Sequence, residues 1–434
     1  MNQSILDNLK DEVIKNNTIS SEYYSQFDVK RGLRNADGSG VLAGLTHISS
    51  VIGSKKGENS LLPVEGILRY RGVSLAEIVA QCPEDKTHHF ERVCFLLLVG
   101  RLPNSTEEKE FATYMANHRE VPAEIVENII KNIPSKDIMN KLQTSISALY
   151  AYDEDPDCLD PVENFFKSVR LIAKLPSIVA LSYLAAYNPT ADIVKPTQEM
   201  SQAEAFLHIL TSGKNTSKFD SYIVDLSLVL HCEHGGGNNS TFTTYVVSSS
   251  GSDLYSSLAA AVASLKGPLH GAANKQVMDM MADIKSNVSE WENVDEVKEY
   301  LTKIVKKEAG NKTGKLYGLG HAVYTKSDPR AVAIKSIAKR IADLNKRSKE
   351  YNLYNLIAEV GPSVFQNVKD SQKVISPNVD FYSGFVYDCL SIPKEIFTPI
   401  FAMARATGWC AHRIEDMLSG KRIIRPGYKY VDPK

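Results

Sequence analysis

No apolar stretch in this 434-residue chain runs unbroken for the roughly 20 residues that a membrane-spanning helix needs. Residues 93–99 are too short and residues 175–187 are interrupted by Pro and Ser, so both are expected to be buried helices rather than contacts with a membrane. An excess of charge of one sign is missing too. Fifty Lys and Arg face 51 Asp and Glu, which removes the general field that grips a nucleic-acid backbone or an anionic lipid surface and makes any anion site local. The six cysteines, Cys82, Cys94, Cys158, Cys232, Cys389 and Cys410, never fall in Cys-x-x-Cys spacing, so reduced thiols are expected and neither a disulfide framework nor a metal cage is. Residues 1–8 show neither the apolar run of a signal peptide nor the Arg-rich, acid-poor character of a transit peptide; a cytoplasmic location is the expectation. Internal repeats and low-complexity tracts are also absent.

What is present is helical periodicity. Leu, Ile and Val recur at three- and four-residue spacings over 90–99, 167–187, 203–211, 221–230, 254–265 and 332–344, with almost no strict alternation. Breakers such as Leu102-Pro103-Asn104-Ser105, Leu175-Pro176-Ser177, Gly235-Gly236-Gly237 and Gly267-Pro268 separate these runs. The fold class is therefore mainly α. The chain is too long for one ordinary core and suggests two or three domains, or a large one with a smaller appendage. Residues 1–28 read as a helix with a polar exit and the Gly-rich stretch 30–44 as a place for one or two short strands, together an arm of about 45 residues. Charged amphipathic stretches at 285–308 and 335–350 read as a smaller, more solvated domain inserted in a larger one.

Several blocks place proton-transfer groups beside direction-fixing turns. In His231-Cys232-Glu233-His234, followed by Gly235-Gly236-Gly237-Asn238-Asn239-Ser240, an apolar helix ends at the glycines and Asn or Ser caps the next, so His234 sits at a helix–helix corner near backbone amides. The same two histidines could be structural, or could bind a metal, though no third ligand is spaced nearby. His270, in Gly267-Pro268-Leu269-His270-Gly271, precedes a helix start whose dipole disfavours imidazolium; a neutral ring donating to a developing enolate oxygen fits, and so does a turn cap. Gly318-Leu319-Gly320-His321 permits close backbone approach to a ligand. Asp328-Pro329-Arg330 reads as N-cap, first helical residue and a guanidinium in the first turn, where a carboxylate is favoured over the alternative of a solvated arginine. Asp380, in Asn378-Val379-Asp380-Phe381-Tyr382-Ser383-Gly384, is a carboxylate among apolar and aromatic neighbours, either a base with a raised pKa or an ordinary turn aspartate. Phe401 and Arg405, four apart on one helix face, can present a ring and a guanidinium to one ligand.

These blocks, with residues 38–46, Pro63 to Gly72, Val93 to Pro103 and Leu171 to Pro176, resemble the citrate synthase family over most of the chain. The resemblance implies a two-domain helical subunit: a large domain over 1–275, a small domain over 276–384, and a return to the large domain with a C-terminal arm over 385–434. It implies a homodimer with a cleft active site, acetyl-CoA and oxaloacetate as substrates, and no cofactor or metal. By position, Asp380 removes the methyl proton, His270 binds the thioester oxygen, and His321 polarises the oxaloacetate carbonyl. His234, Arg330 and Arg405 hold oxaloacetate, Asn238 and Phe401 line the pocket, and Arg425 reaches the partner subunit's site. CoA falls to the backbone of Leu316, Tyr317, Gly318, Leu319 and Gly320. Some relatives carry a basic side chain that contacts CoA phosphate where Thr325 stands; here either Lys326 substitutes or the contact is lost, and Arg34 is a further candidate phosphate partner. A 2-methylcitrate synthase taking propionyl-CoA shares these motifs, a metal hydrolase using His231 and His234 is a rival from another class, and a non-catalytic paralogue is the third.

Overall fold

Asn, Ser and Asp residues stand immediately before many of the apolar runs, and their side chains accept the orphan N–H groups of the helices that follow. Asp160 caps one run at Val162 and Glu163, and Ser74, Asn104, Ser201 and Ser217 each form a reciprocal capping box. The computed structural model describes residues 3–35, 37–57, 61–214, 216–420 and 422–431. The chain divides into two compact units, Met1–Leu45 with Ile424–Lys434, and Thr46–Ile423.

The terminal unit holds helices α1 (Gln3–Asn17) and α2 (Ser21–Gln26). Its Gly-rich stretch makes an isolated bridge between Arg34 and Gly40 instead of the expected strands. Lys429 lies 5.7 Å from the centre of the Phe27 ring within the same unit.

The large unit opens with the strands, which fall later than the sequence suggested. β1 (Ser49–Lys56) pairs antiparallel with β2 (Leu61–Tyr70), and β2 with the two-residue β3 (Val73–Ser74). Arg71 and Gly72, both at positive φ, make the two-residue turn between β2 and β3. The β1–β2 register shifts between Ile52 and Ser54, at Gly53. A Cβ at Gly53 would stand 2.2 Å from the Val323 carbonyl oxygen, and one at Gly66 would stand 2.2 Å from that of Ser327. The hairpin thus lies backbone-to-backbone on the loop that carries His321, and the Thr325 hydroxyl donates to the Gly53 carbonyl at 2.6 Å.

The helices then follow in order: α3 (Leu75–Ala80), α4 (His89–Val99), α5 (Ser105–Asn117), a π-helical turn at Ile125–Lys131, α6 (Ile138–Leu149), α7 (Pro161–Tyr187), α8 (Gln202–Leu210), α9 (Lys218–His231), α10 (Asn239–Ser248) and α11 (Leu254–Lys266). After them come α12 (Ala273–Asn287), α13 (Val294–Val305), α14 (Pro329–Leu344), α15 (Ser348–Lys369), α16 (Val379–Cys389) and α17 (Phe397–Ser419). Pro176, expected to break a helix, lies inside the 27-residue α7. Packing of α7 on α6, α8 and α17 outweighs the local cost of a proline, about 3 kcal/mol. By length and composition α7 would suit a membrane span, yet 72% of its apolar window is buried within the protein, as a core helix would be. The charged stretch 335–350 is split by Lys346, at positive φ, between α14 and α15.

α17 is the axis of the core. It is buried almost all round from Phe397 to Arg413 and packs on α4, α7, α9, α10 and α11. Helices α12 to α16 pack chiefly on one another, α13 against α15 and α16 against α12 and α14. All six cysteines are free thiols.

Candidate active site

His234 sits just past α9 at a corner that only a left-handed residue can turn; Gly235 supplies φ +86°. The corner buries His234 and brings its ring to 4.9 Å from that of His321 and 5.3 Å from that of Tyr324. His234 Nε2 is buried with no hydrogen-bond partner among the described residues. Burial first, then the charges of Arg330 and its neighbours, pushes this imidazole well below its ordinary value, so it is neutral.

His321 and Asp380 are joined by a short strand-like bridge. Gly320 donates to the Ser376 carbonyl at 2.8 Å, Asn378 donates to the Gly318 carbonyl at 2.9 Å, and Leu319 pairs antiparallel with Pro377. Gly318 and Gly320 are both at positive φ, and a Cβ at Gly318 would meet Phe381 and Val277 at 2.8 Å, so this close approach needs glycine. The backbone N–H groups of Val323 and Tyr324 point at His321 Nδ1 from 3.0 and 3.2 Å. A backbone N–H can only donate, so Nδ1 accepts and Nε2 carries the proton. Burial and Arg330 hold the ring neutral, with its pKa at about 4.

Asp380 follows the Asn378 N-cap in the first turn of α16. Its carboxylate is half-buried and accepts no hydrogen bond among the described residues. Burial raises it from 3.8 to about 6, against the opposing pull of Arg330 and Arg405.

His270 lies in the turn before α12, and the helix start that addresses it is that of α10. The Ser240 N–H points at His270 Nε2 from 3.3 Å, leaving the proton on Nδ1. Ser240 Oγ, 3.1 Å from the same nitrogen, is held by Trp409 Nε1 and Asn238 Oδ1. Burial first, then Arg405, lowers this ring to about 4. Two neutral imidazoles thus each keep one N–H as a donor.

The arginines differ. Asp328 caps α14 with Pro329 in the first turn, as the sequence implied, but the Arg330 guanidinium folds back onto its own cap. Nε and Nη2 donate to Asp328 Oδ1 and Oδ2 at 3.0 and 2.7 Å, leaving Nη1 without a bond among the described residues. Asp328 Oδ2 also accepts the Val379 N–H at 3.3 Å, tying α14 to the start of α16. Arg405, 0% exposed, spends only Nε, on the His231 carbonyl at 2.7 Å. Its Nη1 and Nη2 are buried without partners, and its carbon stands 4.5 Å over the Phe401 ring. A buried, half-satisfied guanidinium is costly, and an incoming carboxylate is the ligand that relieves it. The Arg405 charge also acts on His231, His234, His270, His321 and Asp380, so these side chains surround one cation.

Of the other residues singled out in the sequence, Asn238 caps α10, and Leu319 reaches the Gly361 position. Leu316 is buried, Tyr317 accepts from Asn311 at 2.8 Å, and Lys326 is exposed. Arg425 and Arg34 are exposed in the terminal unit, where Arg34 donates to the Gly38 carbonyl. His231 does not join His234 as a metal pair: its Nε2 meets the Tyr387 hydroxyl at 3.0 Å, and its ring lies 4.6 Å from Phe401. Sequence reasoning missed Trp409 and the inward face of Tyr324. The four-residue step from Arg405 to Trp409 was the available signal for the first.

The arrangement combines a raised carboxylate, two neutral imidazole donors and a buried arginine awaiting an anion. Fold and site together define a mainly helical enzyme built to bind a small carboxylate and move a proton beside it. The chain belongs to the citrate synthase family: the family described as "Citrate synthase, C-terminal domain" matches residues 36–427. Citrate synthase 2 of Bacillus subtilis is 34% identical over 91% of this chain and 95% of its own. Citrate/2-methylcitrate synthase of the same organism is likewise 34% identical, again over 91% and 95%. The structure of the Thermoplasma acidophilum citrate synthase, in ternary complex with carboxymethyl coenzyme A and oxaloacetate, superposes with a TM-score of 0.77 at 28% identity. It covers 94% of this chain and 97% of that one.

Proposed function

We propose that this protein condenses acetyl-CoA with oxaloacetate and hydrolyses the resulting citryl-CoA to citrate and CoA. The observation that carries this reading is the buried, unpartnered end of Arg405 beside neutral His234 and His321. Arg405, the free Nη1 of Arg330 and His234 hold the oxaloacetate carboxylates, with Phe401 and Asn238 lining the pocket. Asp380 takes a methyl proton from acetyl-CoA, and His270 Nδ1–H donates to the thioester oxygen as negative charge develops there. Each such preorganised donor is worth about 3 kcal/mol in the transition state. The enol carbon then forms a bond to the oxaloacetate carbonyl carbon, and the proton on His321 Nε2 passes to the new alkoxide. Water finally cleaves the thioester, releasing CoA as the thiol.

CoA enters as a substrate, and the chemistry needs no further cofactor. Its adenine end falls to the loop Leu316–Gly320 and its phosphate to the exposed Lys326. The mutual packing of α12 to α16 supports residues 276–384 as the small domain that closes over the substrates. A homodimer is supported by apolar side chains left open: Val162 and Phe166 on α7, and Leu42, Leu45 and Tyr428 in the terminal unit, the last 96% exposed. In that dimer Arg425 reaches the partner subunit's site.

Release of free CoA thiol from acetyl-CoA and from propionyl-CoA, each with oxaloacetate, tests the reading. Preference for acetyl-CoA is expected. Preference for propionyl-CoA would make 2-methylcitrate the product, an activity that the name of one relative includes. No thiol release from either donor would refute the condensation.

A further inference from the structure

Behind His234 stands a second buried layer. Glu233 is wholly buried, and its Oε1 gathers three donors: the Ser49 hydroxyl at 2.8 Å, His412 Nε2 at 2.9 Å and the Gly235 N–H. Oε2 has no hydrogen-bond partner among the described residues and rests on α17 at Gly408, where a Cβ would stand 2.1 Å away. His412, also wholly buried, is backed through Nδ1 by the Tyr245 hydroxyl at 2.7 Å and by Thr46 at 3.5 Å.

A carboxylate this deep needs compensation of several kcal/mol. Its placement has two effects at the site. The bond from Gly235 back to Glu233 spans His234 and closes the turn that aims its ring. The Glu233 charge also acts on Arg405, whose other charged or titratable neighbours include Cys232, Tyr70 on β2, Arg330 on α14, and Asp380, Tyr324, His231, His234, His270 and His321 across the site. Asp328 balances Arg330 by taking two of its N–H groups. Glu233 makes no hydrogen bond to Arg405, and so balances the charge while leaving the donors free.

We infer that Glu233, held by His412, is a positioning residue for the oxaloacetate site: it aims His234 and balances the Arg405 charge while leaving both Nη groups open to a substrate carboxylate. The inference rests on the oxaloacetate reading above.

The test is Glu233→Gln in the full chain, which keeps the acceptor and the volume but removes the charge. KM for oxaloacetate, KM for acetyl-CoA and kcat are measured at neutral pH, with a thermal melt to establish folding. The oxaloacetate KM should rise roughly tenfold or more while the acetyl-CoA KM changes by less than about twofold, because only one substrate meets Arg405. An unchanged oxaloacetate KM or an equal rise in both KM values would overturn the inference. Should the variant not fold, His412→Leu, which removes the donor that holds Glu233 Oε1, is judged by the same two KM values. Wild-type protein that releases no thiol would sink the condensation reading instead, so the two failures are distinct.

Discussion

Replacing Asp380 by Asn should slow the reaction severely and, near neutral pH, stabilise the fold. Burial lifts this carboxyl from 3.8 to about 6, only partly opposed by Arg330 and Arg405. Between those two values the folded chain holds more proton than the unfolded chain, so the Asp380 contribution to stability falls as pH rises through the window. Above it, the ionised carboxylate is a full liability. The interval converts to about 3 kcal/mol at most, and partial exposure of the group reduces that to about 1–2 kcal/mol. Asparagine keeps the shape and cannot ionise. Denaturant melts of both proteins at pH 4, 6 and 8 should show the variant gaining on the wild type as pH rises and losing that gain by pH 4. The rate should drop by about 10²–10⁴, the usual contribution of a positioned base. Wild-type kcat/KM should fall below about pH 6 as the base protonates, with no separate titration of His270 or His321 above that point, since both are held at about 4. A variant less stable than the wild type at pH 8, or a stability difference that does not depend on pH, would refute the reasoning.

Two further substitutions probe the anion pocket. Arg405→Ala should weaken oxaloacetate binding by about 2–5 kcal/mol, measured as KM, with little effect on KM for acetyl-CoA. Gly408→Ala forces a methyl group to 2.1 Å from Glu233 Oε2 and 2.6 Å from the Cys232 carbonyl oxygen. It should cost about 1–3 kcal/mol in a melt and raise the oxaloacetate KM, because the shift displaces the residues that aim His234.

Much of the helical framework was legible in the sequence because apolar spacing and caps agree: α4, α8, α9, α11 and the Asp328–Pro329 start of α14 fall within a few residues of the apolar runs. The strands were misplaced because β1 carries Ser, Lys and Gly and β2 is interrupted by Pro63 and Gly66, so no clean alternation marks them. Pro176 misled for another reason: its cost is local, whereas the packing that overrides it comes from helices distant in sequence. At the site, the residue types were visible but their wiring was not. Both arginines are buried; that Arg330 folds onto Asp328 while Arg405 stays open depends on which acceptors the fold brings to each, which four-residue spacing does not encode. His270 is addressed by Ser240, thirty residues away, and not by its own helix.

The most direct test of the central claim is exchange of the acetyl-CoA methyl protons with deuterium from solvent, followed by NMR with malate, a dicarboxylate that cannot be attacked, in the oxaloacetate site. The account predicts that wild-type protein incorporates deuterium and that Asp380→Asn does not. Exchange that persists at the wild-type rate in the variant would mean that Asp380 is not the base, and would contradict the mechanism.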